Sequence, residues 1–138
     1  MFIYRASKVQ ISVKDLDEEK YSTKENEKKD LTKILYIKGP LFFANSEKIE
    51  KCFKTELKGV EEIIISLDGV NAIDTSGTDA LVEQIKHMRE NGARFIICGA
   101  NDSVMKMLNK LDILTVLGQD SFVSTMDEAI DMAIKNEA

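Results

Sequence analysis

A chain of 138 residues with 43% hydrophobic content carries apolar material for one compact core rather than two. Its longest apolar runs, around Ile63 to Leu67 and Phe95 to Ala100, are strand-sized and too short to span a bilayer. Nineteen basic and 24 acidic residues leave a net charge of −5 with no basic stripe, which argues against a nucleic-acid partner.

Taken in chain order, Met1 to Lys8 holds no sustained apolar stretch and no small-residue cleavage site, so no export signal is predicted. Lys8-Val9-Gln10-Ile11-Ser12-Val13 alternates polar with apolar, the period of a half-buried strand at a sheet edge. From Lys14 to Leu31 twelve of eighteen residues are charged, too few apolar groups to offset ordering entropy, and the segment reads as a loop or linker. Residues 1–31 are thus an N-terminal strand with a charged linker, and 32–137 are the domain proper.

From Thr32 onward the pattern is α/β. Ile34-Leu35-Tyr36-Ile37 reads as a strand closed by Gly39-Pro40. Asn45 or Ser46 caps a helix with Ile49, Cys52, Phe53 and Leu57 on one face. Glu62 to Leu67 is nearly all apolar, as in a strand covered on both sides, and Asp68-Gly69 reads as an acidic turn after it. A helix follows from about Ser76 to Asn91, with Leu81, Val82, Ile85 and Met88 inward and Gly92 as its stop.

Arg94 to Cys98 is a third buried strand, after which Asn101 or Asp102 caps a helix carrying Val104, Met107, Leu108 and Leu111. Gly118 ends the apolar segment beyond it, and Phe122-Val123 adds a short strand. Thr125-Met126-Asp127-Glu128 has capping-box spacing before a helix with Ala129, Ile130, Ala133 and Ile134 on its buried stripe. Strands alternating with four or five helices predict a mixed, largely parallel sheet.

Asp74-Thr75-Ser76-Gly77 places a carboxylate and two hydroxyls at a helix N-terminus, where backbone N–H groups are free and the helix dipole is positive. One reading is purely local: Thr75 or Ser76 caps the helix, Ser76 and Asp79 form a Ser-x-x-Asp box, and Gly77 keeps the turn uncrowded. The functional reading is phosphorylation at Thr75 or Ser76, switching the charge of a surface that a partner touches. Nucleotide binding at this helix end is a further reading, opposed by Asp68 and Asp74 and by the absence of a phosphate-binding glycine loop.

Gly39-Pro40-Leu41-Phe42-Phe43-Ala44-Asn45 puts large apolar residues between strand and helix, either closing the core or forming a docking patch. Catalysis has little to stand on. His87, the only histidine, lies roughly 200° around its helix from Ile85, away from the apolar stripe. Asp68 and Asp74 suit turns and caps as readily as acid–base work. Cys52 and Cys98 lack a Cys-x-x-Cys or Cys/His spacing, so neither a zinc nor a dithiol site is expected, only two buried thiols in a reducing compartment. No cofactor and no metal are expected.

Together these residues resemble the STAS domain, the module shared by SulP-type anion transporters and bacterial anti-sigma-factor antagonists. The resemblance runs from about Thr32 to Lys135. It rests on the buried strand before Asp74-Thr75-Ser76-Gly77, the stop Asn91-Gly92-Ala93, and Leu111-Asp112-Ile113-Leu114. In antagonists the first hydroxyl residue after the aspartate is phosphorylated by a partner kinase. That role maps to Thr75, a threonine where serine would stand, with Ser76 beside it.

Gly-Pro-Leu-Phe-Phe-Ala-Asn at 39–45, the basic Ile3-Tyr4-Arg5-Ala6-Ser7 and the charged segment up to Leu31 are similar to the carboxyl-terminal domains of SulP sulfate transporters. The resemblance implies a single α/β domain on the cytoplasmic side of the membrane, regulatory rather than enzymatic. It would contact the transporter's own membrane domain, a soluble protein or a kinase through Asp74, Thr75, Ser76, Gly77, Thr78, Phe42 and Phe43. The alternative it implies is a free-standing antagonist switched at Thr75.

Overall fold

The β-branched runs form the centre of a five-stranded sheet in the order β1-β2-β3-β4-β5. The computed structural model describes residues 8–16 and 32–137, so the basic Ile3 to Ser7 stretch and the charged segment beyond Leu16 lie outside the described residues. β1 (Gln10–Asp15) pairs antiparallel with β2 (Thr32–Leu41), as the alternating pattern predicts for an edge strand. β3 (Glu62–Ile73), β4 (Arg94–Cys98) and β5 (Phe122–Val123) continue the sheet in parallel.

The helices are α1 (Ser46–Thr55), α2 (Thr75–Glu90), α3 (Asp102–Lys110), α4 (Ile113–Leu117) and α5 (Met126–Glu137). The expected mixed, largely parallel α/β sheet with five helices is what forms. The helices divide unequally over its two faces. On one face Leu35, Ile37, Ile63, Ile65, Leu67, Phe95 and Ile97 meet Ile49 and Phe53 of α1, Leu81, Val82 and Ile85 of α2, and Val104 and Leu108 of α3. On the other, Leu16, Ile34, Ile64, Ile96 and Cys98 are covered by Ala129, Ile130 and Ala133 of α5. Glu62 is buried at the start of β3, 3.5 Å from the Arg94 guanidinium.

Several boundaries depart from the sequence pattern, each for a physical reason. β1 extends two residues into the charged segment, through Lys14 and Asp15, and Leu16 is fully buried behind it. β2 runs through Gly39 and Pro40 to Leu41 instead of ending there. Its ladder with β3 is irregular at this point, the setting in which a strand tolerates proline. Gly39 has φ +94°, a conformation open to glycine.

β3 does not turn at Asp68-Gly69 but continues to Ile73. Twelve residues of β3 face ten of β2, so two are extra: one falls at Leu67-Asp68, the other at Asn71. The first bulge places Leu67 and Val70 in the same core, where strict alternation would put them on opposite faces. α3 and α4 are separate helices because Asp112 adopts φ +60° between them.

The predicted stops and most caps hold. Gly92, at φ +96°, ends α2. Asn101 caps α3 through Oδ1, which accepts from the Val104 N–H at 2.9 Å. Thr125 Oγ1 accepts from the Glu128 N–H at 3.2 Å. Asn45 precedes α1 but makes no side-chain cap bond; its Nδ2 instead donates to the Pro40 carbonyl at 2.9 Å, bracing the loop.

Candidate functional site

β2 and β3 end together, Leu41 opposite Ile73, beyond the level of Ser66 at which β4 stops, and α1 and α2 follow these two long strands. The residues singled out by their sequence lie there. Asp74 leaves β3 in an extended conformation, φ −130° and ψ 169°, and is the N-cap of α2. Its Oδ1 accepts from the Gly77 N–H at 2.7 Å. The same carboxylate accepts from the Phe43 N–H at 3.1 and 3.2 Å. The local reading that Thr75 or Ser76 caps this helix is therefore corrected. The carboxylate does so because it reaches both its own helix and the neighbouring loop, which a hydroxyl one residue later cannot.

Asp74 also joins the two elements through its backbone, its N–H donating to the Leu41 carbonyl at 3.2 Å. Gly77 lies so close to the exit of β2 that a Cβ there would sit 2.4 Å from Leu41 O and 2.5 Å from Phe42 C. Thr78 is fully buried, and its hydroxyl donates to the Asp74 carbonyl at 2.8 Å. Gly77 and Thr78, expected on the contact surface, are thus the packing beneath it.

What remains outside is Thr75, Ser76 and the ring of Phe43. Both hydroxyl residues are exposed, freed by the Asp74 cap. Thr75 Oγ1 lies 3.7 Å from Met107 Sδ, to which it donates. Phe42 is half-buried, while Phe43 is 66% exposed, the one large hydrophobic so exposed among the described residues. Its backbone begins the short 3-10 turn Phe43–Asn45, with the Asn45 N–H donating to Phe42 O at 2.8 Å. The two rings thus differ in exposure, and neither is fully buried.

The anion site at the start of α2 is already filled from within. Asp74 takes the Gly77 amide, so a nucleotide phosphate would have to displace a bonded carboxylate of like charge. Asp68 is elsewhere, lining a cleft of about 550 Å³ on the α5 face with Tyr36, Ser66 and Cys98. It shares no site with Asp74 and forms no acid–base pair there. A larger cleft of about 770 Å³ lies at the opposite end of the sheet, between Phe53, Lys58, His87 and Met88, and includes none of the candidate residues. His87 is exposed on its rim.

Cys52 and Cys98 are both buried and unpaired. Burial, with a smaller contribution from Glu56, pushes the Cys52 thiol up to about 12. Burial also raises Cys98, against a hydrogen bond with Ser66 that lowers it. Both are thiols, not thiolates, at neutral pH. Among the described residues no cluster of His, Cys, Asp or Glu is arranged to hold a metal ion. No described helix is long and apolar enough to cross a membrane.

Two participants escaped the sequence pattern. The helical period places Met107 on the inner stripe of α3, but it is only partly buried and lies against Thr75. Asn45, a cap by its residue type, is instead the brace of the phenylalanine loop. Met107 stands at the margin of its helical stripe, a faint signal; nothing local distinguishes the two roles of Asn45.

A model of the STAS domain family matches residues 23–129. Probable sulfate transporter 3.4 of Arabidopsis thaliana is 29% identical over 109 residues, a match covering 70% of this chain and 17% of that protein. The chain thus spans less than a fifth of the length of the curated transporters it matches. The SulP transporter STAS domain from Vibrio cholerae has the same fold, with a TM-score of 0.64 at 24% identity, covering 88% of this chain and 92% of that one. So does the Bacillus anti-sigma factor antagonist SpoIIAA in its unphosphorylated form, with a TM-score of 0.64 at 18% identity, covering 91% and 97%.

Proposed function

This chain belongs to the STAS domain family, and on that premise we propose that it is the cytoplasmic regulatory and protein-interaction domain of a SulP-type sulfate or anion transporter. The domain works by contact, without chemistry of its own. Its contact surface is Phe43 with the half-buried Phe42, together with Asp74, Thr75 and Ser76. The observation that carries this reading is the exposure of Phe43 beside two hydroxyls released from capping by Asp74. The likeness to proteins named as sulfate transporters supports the choice of protein class. The partner is the transporter's own membrane domain or a soluble protein.

A second reading is a free-standing anti-sigma-factor antagonist switched by phosphorylation at Thr75. It is favoured by the exposure of Thr75 and Ser76 at a helix N-terminus, where a phosphate gains from the helix dipole. The two readings separate on fractionating the source cells and probing with an antibody to this domain. A band several times larger than 15.5 kDa in the membrane fraction is expected. A soluble band at the domain's own size would overturn the transporter reading. In that case incubation with partner kinases and ATP should add one phosphate that Thr75→Ala abolishes.

A further inference from the structure

The cleft of about 770 Å³ at the far end of the sheet takes no part in the contact surface. It lies where two neighbouring helices part. α1 has 10 residues and α2 has 16, and where α2 runs on toward Glu90 the chain leaving α1 turns at Glu56 to Gly59 and heads into β3. Gln84, His87, Met88 and Asn91 line the gap from α2, at the spacing of a single helix face. Phe53 and Val60, both more than nine-tenths buried, give it an apolar floor. The Phe53 ring stacks in turn on Phe95, with centroids 6.4 Å apart. Gly59 and Gly92 border the opening, and a Cβ at either would meet no atom within 4 Å.

Two helix C-termini meet at this cleft, and carbonyl ends ordinarily repel an anion. Here those carbonyls are engaged. Cys52 O accepts from the Glu56 N–H at 2.9 Å, Met88 O from the Asn91 and Ala93 N–H groups at 3.0 Å, and Arg89 O from the Gly92 N–H at 3.0 Å. His87 O accepts from Asn91 Nδ2 at 2.9 Å. The ionic side chains of the lining are Lys54, Lys58 and Glu61, with the His87 ring beside them. Two ammonium groups thus stand against one carboxylate, in a chain whose net charge is −5, and they offset what dipole remains. Lys54 already holds Glu50 at 2.7 Å. Among the described residues nothing bonds to the Lys58 ammonium or the His87 ring, which leaves both to a ligand.

We propose that this cleft binds a small monocarboxylate with an aromatic or branched apolar body. The body lies on Phe53, Val60 and Met88, and the carboxylate faces Lys58 and His87. The charge of the lining decides the class: its single surplus cation matches one negative charge, while Glu61 repels the further charges of a polyphosphate. The volume lies within the roughly 300–1,000 Å³ of small-molecule sites, where an apolar floor supplies contact and a few polar groups fix orientation. The inference is independent of the transporter reading, because this site and the contact surface occupy opposite ends of the sheet.

The test is an amide NMR titration of the 138-residue chain with 1-naphthaleneacetate and, in parallel, with its uncharged amide. Saturable shifts gathered on the backbone from Lys58 to Glu61 and from Gln84 to Ala93 are expected, with the carboxylate binding roughly two- to fivefold tighter than the amide. Lys58→Glu combined with His87→Glu should erase that preference and leave Tm near wild type, since both positions are exposed. Lys58→Met, which removes one charge and keeps the apolar stem, should lower the preference part of the way. No saturation by about 10 mM probe, shifts centred on the other cleft at Tyr36 and Ser66, or equal affinity for the two probes would each overturn the inference. So would a preference that survives unchanged in the variants.

Discussion

Replacing Asp74 by alanine removes both ties that organise the candidate surface, and the loss can be estimated bond by bond. The cap to the Gly77 N–H at 2.7 Å contributes about 1 kcal/mol. The Phe43 N–H divides one donor between two carboxylate oxygens at 3.1 and 3.2 Å. Being charge-assisted but exposed, it contributes roughly 1 kcal/mol. A carboxylate at the positive end of α2 adds about 0.3–1 kcal/mol.

Asp74→Ala should therefore cost about 2–3 kcal/mol in urea unfolding, or about 6–9 °C in Tm for a domain of this size. Asp74→Asn retains an acceptor for Gly77 and should cost about 1 kcal/mol. Amide hydrogen exchange locates the effect, because the Phe43 and Gly77 amides should lose protection in the alanine variant. A cost below about 0.5 kcal/mol, or unchanged exchange at Phe43, would refute the claim that this side chain holds the loop to the helix.

Gly77→Ala should destabilise by about 2 kcal/mol or more, despite alanine's better helix propensity, since its methyl meets the backbone at Leu41 and Phe42; equal or higher stability on thermal melting would contradict that packing. Thr75→Glu and Ser76→Glu should leave Tm within about 2 °C, because both positions are exposed and a helix N-terminus favours negative charge, yet each should weaken partner contact; a large loss of stability would show the hydroxyls to be structural. The Cys52 thiol, raised to about 12 by burial, stays protonated in the folded state where the unfolded chain ionises. Stability should therefore fall as pH rises from about 9 toward 12, by at most about 1.4 kcal/mol per pH unit from this group. Cys52→Ala should flatten that slope in urea melts across the range, and an unchanged slope would remove the assignment.

The elements that depend on local periodicity were legible in the sequence. Ile63, Ile64 and Ile65 identify a strand buried on both sides, Leu81, Val82 and Ile85 the inner face of α2, and Thr125 with Glu128 the start of α5. What failed was the reading of polar punctuation as local. Asp68-Gly69 and Gly39-Pro40 carry turn signals, yet both lie inside paired strands, because the ladder between β2 and β3 absorbs them as bulges. The local pattern makes Asp74 the flank of a hydroxyl cap, since its bond to Phe43, 31 residues away, leaves no trace in the neighbouring sequence. The division of labour at this turn is therefore set by a long-range bond and not by the local pattern.

The two surplus residues of β3 give this end of the molecule slack in its ladder. Asn71 is exposed, so exchanging its side chain should matter little. Deleting it should also be absorbed: Val70 already faces Gly39 and Ala72 faces Pro40, so the ladder closes over the gap with Ile73 still opposite Leu41. What would go is the bend and added twist that a bulge gives its strand, and with them the direction in which the chain leaves Ile73 for the Asp74 cap. The bulges thus aim the end of β3 more than they measure it, and the aim is what sets Phe43 and the two hydroxyls side by side.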